Sequence, residues 1–167
     1  AVCTSCPEDT WSDEPHADEN TCQNCSPHAS SPSGSAAITN CRCNAGYTGA
    51  DGGTCAACTA GTYKDTKGSA TCINCGTSRY GPDNAATEEE QCIDCPENSL
   101  SANDSTEPEQ CFCNAGYAGQ NGGTCTACSK GTYKDTEGDD ACVQSPRNTY
   151  VDNSAATSYS CPVHTSA

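Results

Sequence analysis

The chain has 167 residues, 18 of them cysteine, and a formal net charge of −15. One Leu, three Ile, four Val and one Phe make up about 5% of it, far below the ~20% that marks the lower limit for ordinary globular chains, so an apolar core large enough to offset chain entropy is excluded. Seven Lys and Arg are too few for nucleic acid or anionic lipid as a partner, and no run approaches the ~18 apolar residues of a transmembrane helix.

Cross-links must replace the missing core. Cysteine is about 11% of the chain, the density of a disulfide scaffold. Closing a loop of ~15 residues removes roughly 3 kcal/mol of unfolded-state entropy in the simple model. The cysteine count is even, so every thiol can pair. Disulfides at this density persist in oxidising compartments, which places the protein outside the cell or on its surface.

Taken in chain order, Ala1-Val2 suits a mature terminus left by signal cleavage, or an arbitrary start. Cys3-x2-Cys6-x15-Cys22-x2-Cys25 then fits a zinc-ribbon spacing, as do Cys72, Cys75, Cys92 and Cys95. The other cysteines form no further quartets, and zinc ribbons tend to sit in intracellular, often basic proteins, so disulfides are expected and no metal site. Trp11 departs from the repeat pattern described next, as does Phe112; Trp11 is expected to pack on its own module, with a partner anchor as the rival reading. Asn24 (N-C-S) and Asn103 (N-D-S) are N-glycan sequons, and Asn103 has no cysteine inside its sequon. The stretch 26–39 is dense in Ser, Ala and Pro, a composition suited to O-glycans.

A period near 70 organises the rest. Residues 41–75 aligned with 111–145 share 21 identities in 35 positions. The pairs 3–6 and 22–25 correspond to 72–75 and 92–95, and a partial third copy begins at Cys142. In that copy Ser145 stands where Cys75 stands, and His164 where Cys95 stands. Partners in a disulfide tend to be lost together, which points to Cys75–Cys95 and, by repetition, Cys6–Cys25. Gly- and Asn-rich clusters such as NAGYTG, GQNGGT and GPDN read as turns, segments such as GTYKDT as short ribbons, and no window has helical periodicity.

The half-repeat C-x-C-N-A-G-Y-x-G…G-G-T-C resembles the C-terminal half of an EGF module. The segment C-x-A-C-x-x-G-T-Y-K-x-x-x-G-x-x-x-C resembles the cysteine-rich repeats of ephrin receptors and, more loosely, of tumour-necrosis-factor receptors. The flavour is also similar to repeats in algal and protist surface or flagellar-hair (mastigoneme) proteins. The resemblance implies a small disulfide-rich fold, mostly irregular with short β-hairpins and little or no helix, built as elongated tandem modules. The divisions are EGF-like modules at 3–57 and 73–127, GTY loops at 58–72 and 128–142, and a partial repeat at 143–167. Carried over, the EGF pattern implies Cys6–Cys25, Cys22–Cys41, Cys43–Cys55, Cys75–Cys95, Cys92–Cys111 and Cys113–Cys125, with Cys58–Cys72 and Cys128–Cys142 closing the GTY loops. A scheme joining successive CxxC pairs straight across (3–22, 6–25, 72–92, 75–95, 142–161) stays open beside it. The EGF-like scheme leaves Cys3 and Cys161 as candidates for bonds between molecules.

Tyr47, Tyr63, Tyr80, Tyr117, Tyr133 and Tyr150 recur at fixed places and are expected to cover disulfides. The carboxylates, including 88–90, read as a solvated acidic surface; weak calcium binding is the one cofactor they leave open. His16, His28 and His164 lie in unlike contexts and no catalytic motif is present, so no enzyme is expected. The expectation is a secreted, glycosylated structural protein that self-associates into an extracellular filament, coat or flagellar hair, with a ligand-binding or adhesion ectodomain as the alternative.

Overall fold

The computed structural model describes residues 5–14, 21–147, 149–150 and 159–160. Cys3, His16, Cys161 and His164 lie outside these residues. The chain divides into two compact units, Ala1–Cys75 with Gly81–Cys92, and Gly76–Tyr80 with Ile93–Ala167.

Among the described residues every strand is two residues long, and the strands pair antiparallel in nine hairpins. In the first unit β1 (Thr10–Trp11) pairs with β2 (Gln23–Asn24), and β3 (Ala29–Ser30) with β4 (Arg42–Cys43). There too β5 (Tyr47–Thr48) pairs with β6 (Ala56–Ala57), and β7 (Thr62–Tyr63) with β8 (Ile73–Asn74). In the second unit β9 (Arg79–Tyr80) pairs with β10 (Ile93–Asp94), and β11 (Ser99–Leu100) with β12 (Phe112–Cys113). The series ends with β13 (Tyr117–Ala118) and β14 (Thr126–Ala127), β15 (Thr132–Tyr133) and β16 (Val143–Gln144), and β17 (Thr149–Tyr150) and β18 (Tyr159–Ser160). Among the described residues the helical elements are three 3-10 turns, Ile38–Asn40, Glu89–Gln91 and Pro108–Gln110.

The first eight hairpins obey one rule. A cysteine opens each, the first strand starts four residues later, and a second cysteine immediately precedes the second strand. The residue three after the opening cysteine has positive φ in all eight: Asp9, His28, Gly46, Gly61, Ser78, Asn98, Gly116 and Gly131. A type II turn needs that conformation at its third position, and the turn's closing bond is present, for example Tyr47 N–H to the Asn44 carbonyl at 3.1 Å. The same residue ties its hairpin to the next. Gly46 N–H donates to the Lys64 carbonyl (2.8 Å), and its own carbonyl accepts from Cys58 N–H (2.8 Å). Asp9 repeats this with Ser31 and Cys25, Gly61 with Gly81 and Cys75, Ser78 with Ser101 and Cys95, and Gly116 with Lys134 and Cys128.

Eight disulfides close these hairpins, with Cα–Cα distances of 5.5–5.7 Å. Cys43–Cys55, Cys58–Cys72, Cys113–Cys125 and Cys128–Cys142 join cysteines that the sequence reading paired. The other four correct it. Cys6 bonds to Cys22 and Cys25 to Cys41, in place of 6–25 and 22–41. Cys75 bonds to Cys92 and Cys95 to Cys111, in place of 75–95 and 92–111. The straight-across scheme is overturned by Cys6–Cys22 and Cys75–Cys92 and, for its 142–161 pair, by Cys128–Cys142. The physical reason is that each C-x-x-C or C-x-C from Cys22 to Cys128 straddles a boundary: its first cysteine closes one hairpin and its second opens the next. Interlaced bonds would require one cysteine to reach past the hairpin it borders. The joint loss at 145 and 164 therefore removes members of two different bonds, since the counterpart of Cys75's partner is Cys161.

The interior matches the composition. Buried residues are mainly cysteines (Cys6, Cys41, Cys43, Cys58, Cys111, Cys113 and Cys128 among them) and serines (Ser12, Ser31, Ser35, Ser99, Ser101 and Ser105). Four of these serine hydroxyls donate to backbone carbonyls, Ser31 Oγ to Thr10 (2.9 Å), Ser35 Oγ to Pro32 (2.6 Å), Ser99 Oγ to Pro96 (2.6 Å) and Ser101 Oγ to Arg79 (2.7 Å), so burial leaves them satisfied.

Candidate interaction surface

In each of the first eight hairpins the residue after the closing cysteine turns outward. That residue is Gln23, Arg42, Ala56, Ile73, Ile93, Phe112, Thr126 or Val143, and all eight are exposed. Each pairs across the ribbon with the residue five after the opening cysteine: Trp11, Ser30, Thr48, Tyr63, Tyr80, Leu100, Ala118 and Tyr133 respectively. Four hairpins thus carry a half-buried aromatic or Leu beside an exposed Ile, Phe or Val, the cross-strand pairing that stabilises small ribbons. Trp11 and Phe112 fall within this register rather than interrupting it. Tyr47, one position earlier, stacks on His28 with ring centroids 4.0 Å apart and an interplanar angle of 6°.

The two lysines of the GTYK segments, which composition had assigned no role, are the largest fully or almost fully buried charged side chains among the described residues. Lys64 is 1% exposed and Lys134 2%. Lys64 Nζ donates to the carbonyls of Thr66 (2.7 Å) and Asn44 (3.3 Å). Lys134 Nζ donates to those of Tyr117 (2.9 Å), Cys113 (3.4 Å) and Gly138. Each ammonium so fastens one hairpin to the preceding one, and carbonyl dipoles take the place of bulk water around the charge. Burial lowers the Lys64 pKa from its ordinary value, while Asp51 and Asp65 act to raise it. The signal in the sequence was present: Lys is kept at 64 and 134, whereas Lys67 becomes Glu137 and Arg42 becomes Phe112.

The second copy also shows what its substitutions cost. Asn44 Oδ1 accepts from Ser30 Oγ at 2.7 Å. Leu100 replaces Ser30 in the second copy, and the buried Asn114 Oδ1 has no hydrogen-bond partner. Asn24 lies exposed on β2, and Asn103 is exposed in a turn. Glu88, Glu89 and Glu90 are exposed. Cys6, Cys22, Cys25, Cys72, Cys75, Cys92 and Cys95, members of the two zinc-like quartets, are all consumed in disulfides. Among the described residues no helix is long and apolar enough to cross a membrane.

Hairpins of this kind, each closed by one disulfide and hooked to its neighbour by backbone bonds, define a cysteine-rich tandem repeat protein. The chain belongs to the tyrosine-protein kinase ephrin type A/B receptor-like family, which matches residues 46–92 and 116–165. The first match runs from the left-handed Gly46 to Cys92, the second cysteine of the fifth hairpin. The chain is similar to cysteine repeat modular protein B of Toxoplasma gondii, 32% identical over 136 residues, covering 79% of this chain and 2% of that protein. It is also similar to ephrin type-B receptor 2 of Gallus gallus, 38% identical over 53 residues, covering 31% of this chain and 5% of the receptor. The chain thus spans a few per cent of the length of these relatives.

Proposed function

We propose that the chain is an extracellular structural repeat: a disulfide-stapled, glycosylated array that builds a filament, coat or flagellar hair. The observation that carries this reading is repetition down to the single hairpin. Eight hairpins reuse one turn and one disulfide position, and five of them one inter-hairpin hydrogen-bond pattern, which suits a protein whose product is length rather than a reaction. Its acidic surface favours solubility, and exposed Asn24 and Asn103 are accessible to glycan addition. Extracellular location follows from disulfide density. Head-to-tail assembly would run through Cys3 and Cys161, which lie outside the described residues; Ser145 deprives Cys161 of the partner that Cys75 gives Cys92. Open head-to-tail contacts generate filaments.

The second reading, a ligand-binding ectodomain, is favoured by the similarity to a protein named as an ephrin receptor. Negative-stain electron microscopy and non-reducing gels of the purified protein separate the two. Covalent ladders and polymers are expected, and Ser145→Cys should collapse the ladder by giving Cys161 a partner within its own hairpin. Monodisperse monomers with no free thiol would overturn the structural reading.

A further inference from the structure

In the first unit a groove of about 490 Å³ is lined by Glu8, Asp9, Asn40, Arg42 and Lys67, together with serine and proline side chains. That volume is in the range of small-ligand sites, ~300–1,000 Å³. Its walls mix polar and apolar surface, and both signs of charge meet in it. The cations are unusual in a chain of net charge −15. Arg42 is an exposed side chain whose nearest carboxylate, Asp51, is 3.8 Å away at Nε, a weak surface contact. Lys67 is exposed as well.

The repeat supplies an internal control. The counterparts of Glu8, Asp9, Arg42 and Lys67 are Thr77, Ser78, Phe112 and Glu137. All four charges of the groove are therefore missing or reversed in the second copy, although 41–75 and 111–145 agree at 21 of 35 positions. The backbone does not require these charges, since the second copy builds the same hairpins without them. Charges that the fold does not need, gathered in one groove from three different hairpins, are what a binding site leaves behind.

We infer that this groove binds an acidic saccharide, a sugar bearing a carboxylate or sulfate. The acid group would accept hydrogen bonds from the Arg42 guanidinium and the Lys67 ammonium, the charge-assisted kind. The ring hydroxyls would donate to the Glu8 and Asp9 carboxylates. Asn40 Oδ1 already accepts from Ala37 N–H (3.1 Å), which leaves its amide NH2 as a donor to a ring oxygen. An acidic peptide matches the cations but sets its carboxylates against Glu8 and Asp9; a neutral sugar leaves the cations unused. The acidic sugar satisfies both halves of the groove. The inference is independent of whether the chain polymerises.

The test is a titration of the 15N-labelled, fully oxidised chain with sodium glucuronate, methyl glucoside, sodium acetate and an Asp/Glu hexapeptide, read by amide shifts. Saturable shifts centred on Asp9, Arg42 and Lys67 are expected with glucuronate, at least ten-fold tighter than with acetate or methyl glucoside. Arg42→Phe with Lys67→Glu, both residues tolerated in the second copy, should abolish them while the remaining spectrum is unchanged. Glu8→Thr with Asp9→Ser should weaken glucuronate and strengthen acetate. Absence of saturation at millimolar glucuronate, equal response to acetate, tighter binding of the hexapeptide, or indifference to the double substitution would each overturn the inference.

Discussion

Replacing Gly46 and Gly131 by alanine separates two costs that the repeat combines. Both glycines occupy the left-handed third position of the turn, with φ of +78° and +81°. Alanine in that conformation costs ~1–2 kcal/mol, offset by ~0.4–1 kcal/mol because alanine also restricts the unfolded chain. Gly131→Ala should therefore cost about 1 kcal/mol or less, since a Cβ there meets no atom within 4 Å. At Gly46 the same Cβ falls 2.3 Å from the Ala85 carbonyl oxygen and 2.9 Å from its carbon. These are backbone atoms, so relief requires the third and fifth hairpins to part. Overpacking of this kind costs ~1–3 kcal/mol, and the shift of residue 46 loosens its hydrogen bonds to Lys64 and Cys58 of the fourth hairpin, worth ~1 kcal/mol each. Gly46→Ala should exceed Gly131→Ala by about 2–4 kcal/mol. Amide hydrogen exchange on the oxidised proteins reads the difference locally: the Cys58 amide and the amide of residue 46 itself, which donates to the Lys64 carbonyl, should exchange roughly 30–700-fold faster in Gly46→Ala at ~1.4 kcal/mol per decade. The Ser145 amide, bonded to the Gly131 carbonyl at 2.9 Å, should change about five-fold or less in Gly131→Ala. Equal effects at the two sites would refute the stacking of hairpins through the left-handed residue.

Three further outcomes follow from the side chains. Reductive methylation of the folded protein should modify exposed Lys67 and Lys130 and spare Lys64 and Lys134, with mass spectrometry showing all four modified after reduction and unfolding. Because burial holds the Lys64 pKa below 10.5 in the fold, the unfolded chain binds this proton more tightly. Stability should accordingly rise with pH through the window between the folded value and 10.5, then level off. Urea midpoints taken on either side of that window test this, and Lys64→Met should remove its contribution to the slope. Arg79 Nε meets Asp94 Oδ1 at 2.7 Å, but the Asp94 side chain is 81% exposed, so Asp94→Ala should shift stability by less than ~1 kcal/mol in a double-mutant cycle with Arg79.

The sequence made the scaffold legible because composition forces it: nine strongly apolar residues cannot build a core, and the 70-residue period is visible as identity. The smaller unit was hidden. Four hairpins make one such period, but they span 12 to 17 residues between cysteines. Their shared left-handed residue is Gly at 46, 61, 116 and 131 yet Asp9, His28, Ser78 and Asn98 elsewhere. Identity cannot register a conformation that several residue types adopt. Trp11 read as an outlier for the same reason, since its equivalence to Tyr63, Tyr80 and Tyr133 is one of strand position. The EGF-like half-motif suggested interlaced bonds, whereas the unit that folds is a hairpin closed by consecutive cysteines. Lys64 and Lys134 went unread because a lysine's burial depends on carbonyls that only the folded turn brings together.

Disulfide mapping tests the hairpin rule most directly. Asp-N cuts before Asp94, between Cys92 and Cys95, and chymotrypsin cuts after Phe112, between Cys111 and Cys113. Non-reducing peptide mass spectrometry of the digest should join the peptide of Cys75 to that of Cys92, and the peptide of Cys95 to that of Cys111. Peptides joining Cys75 to Cys95 and Cys92 to Cys111 would contradict it.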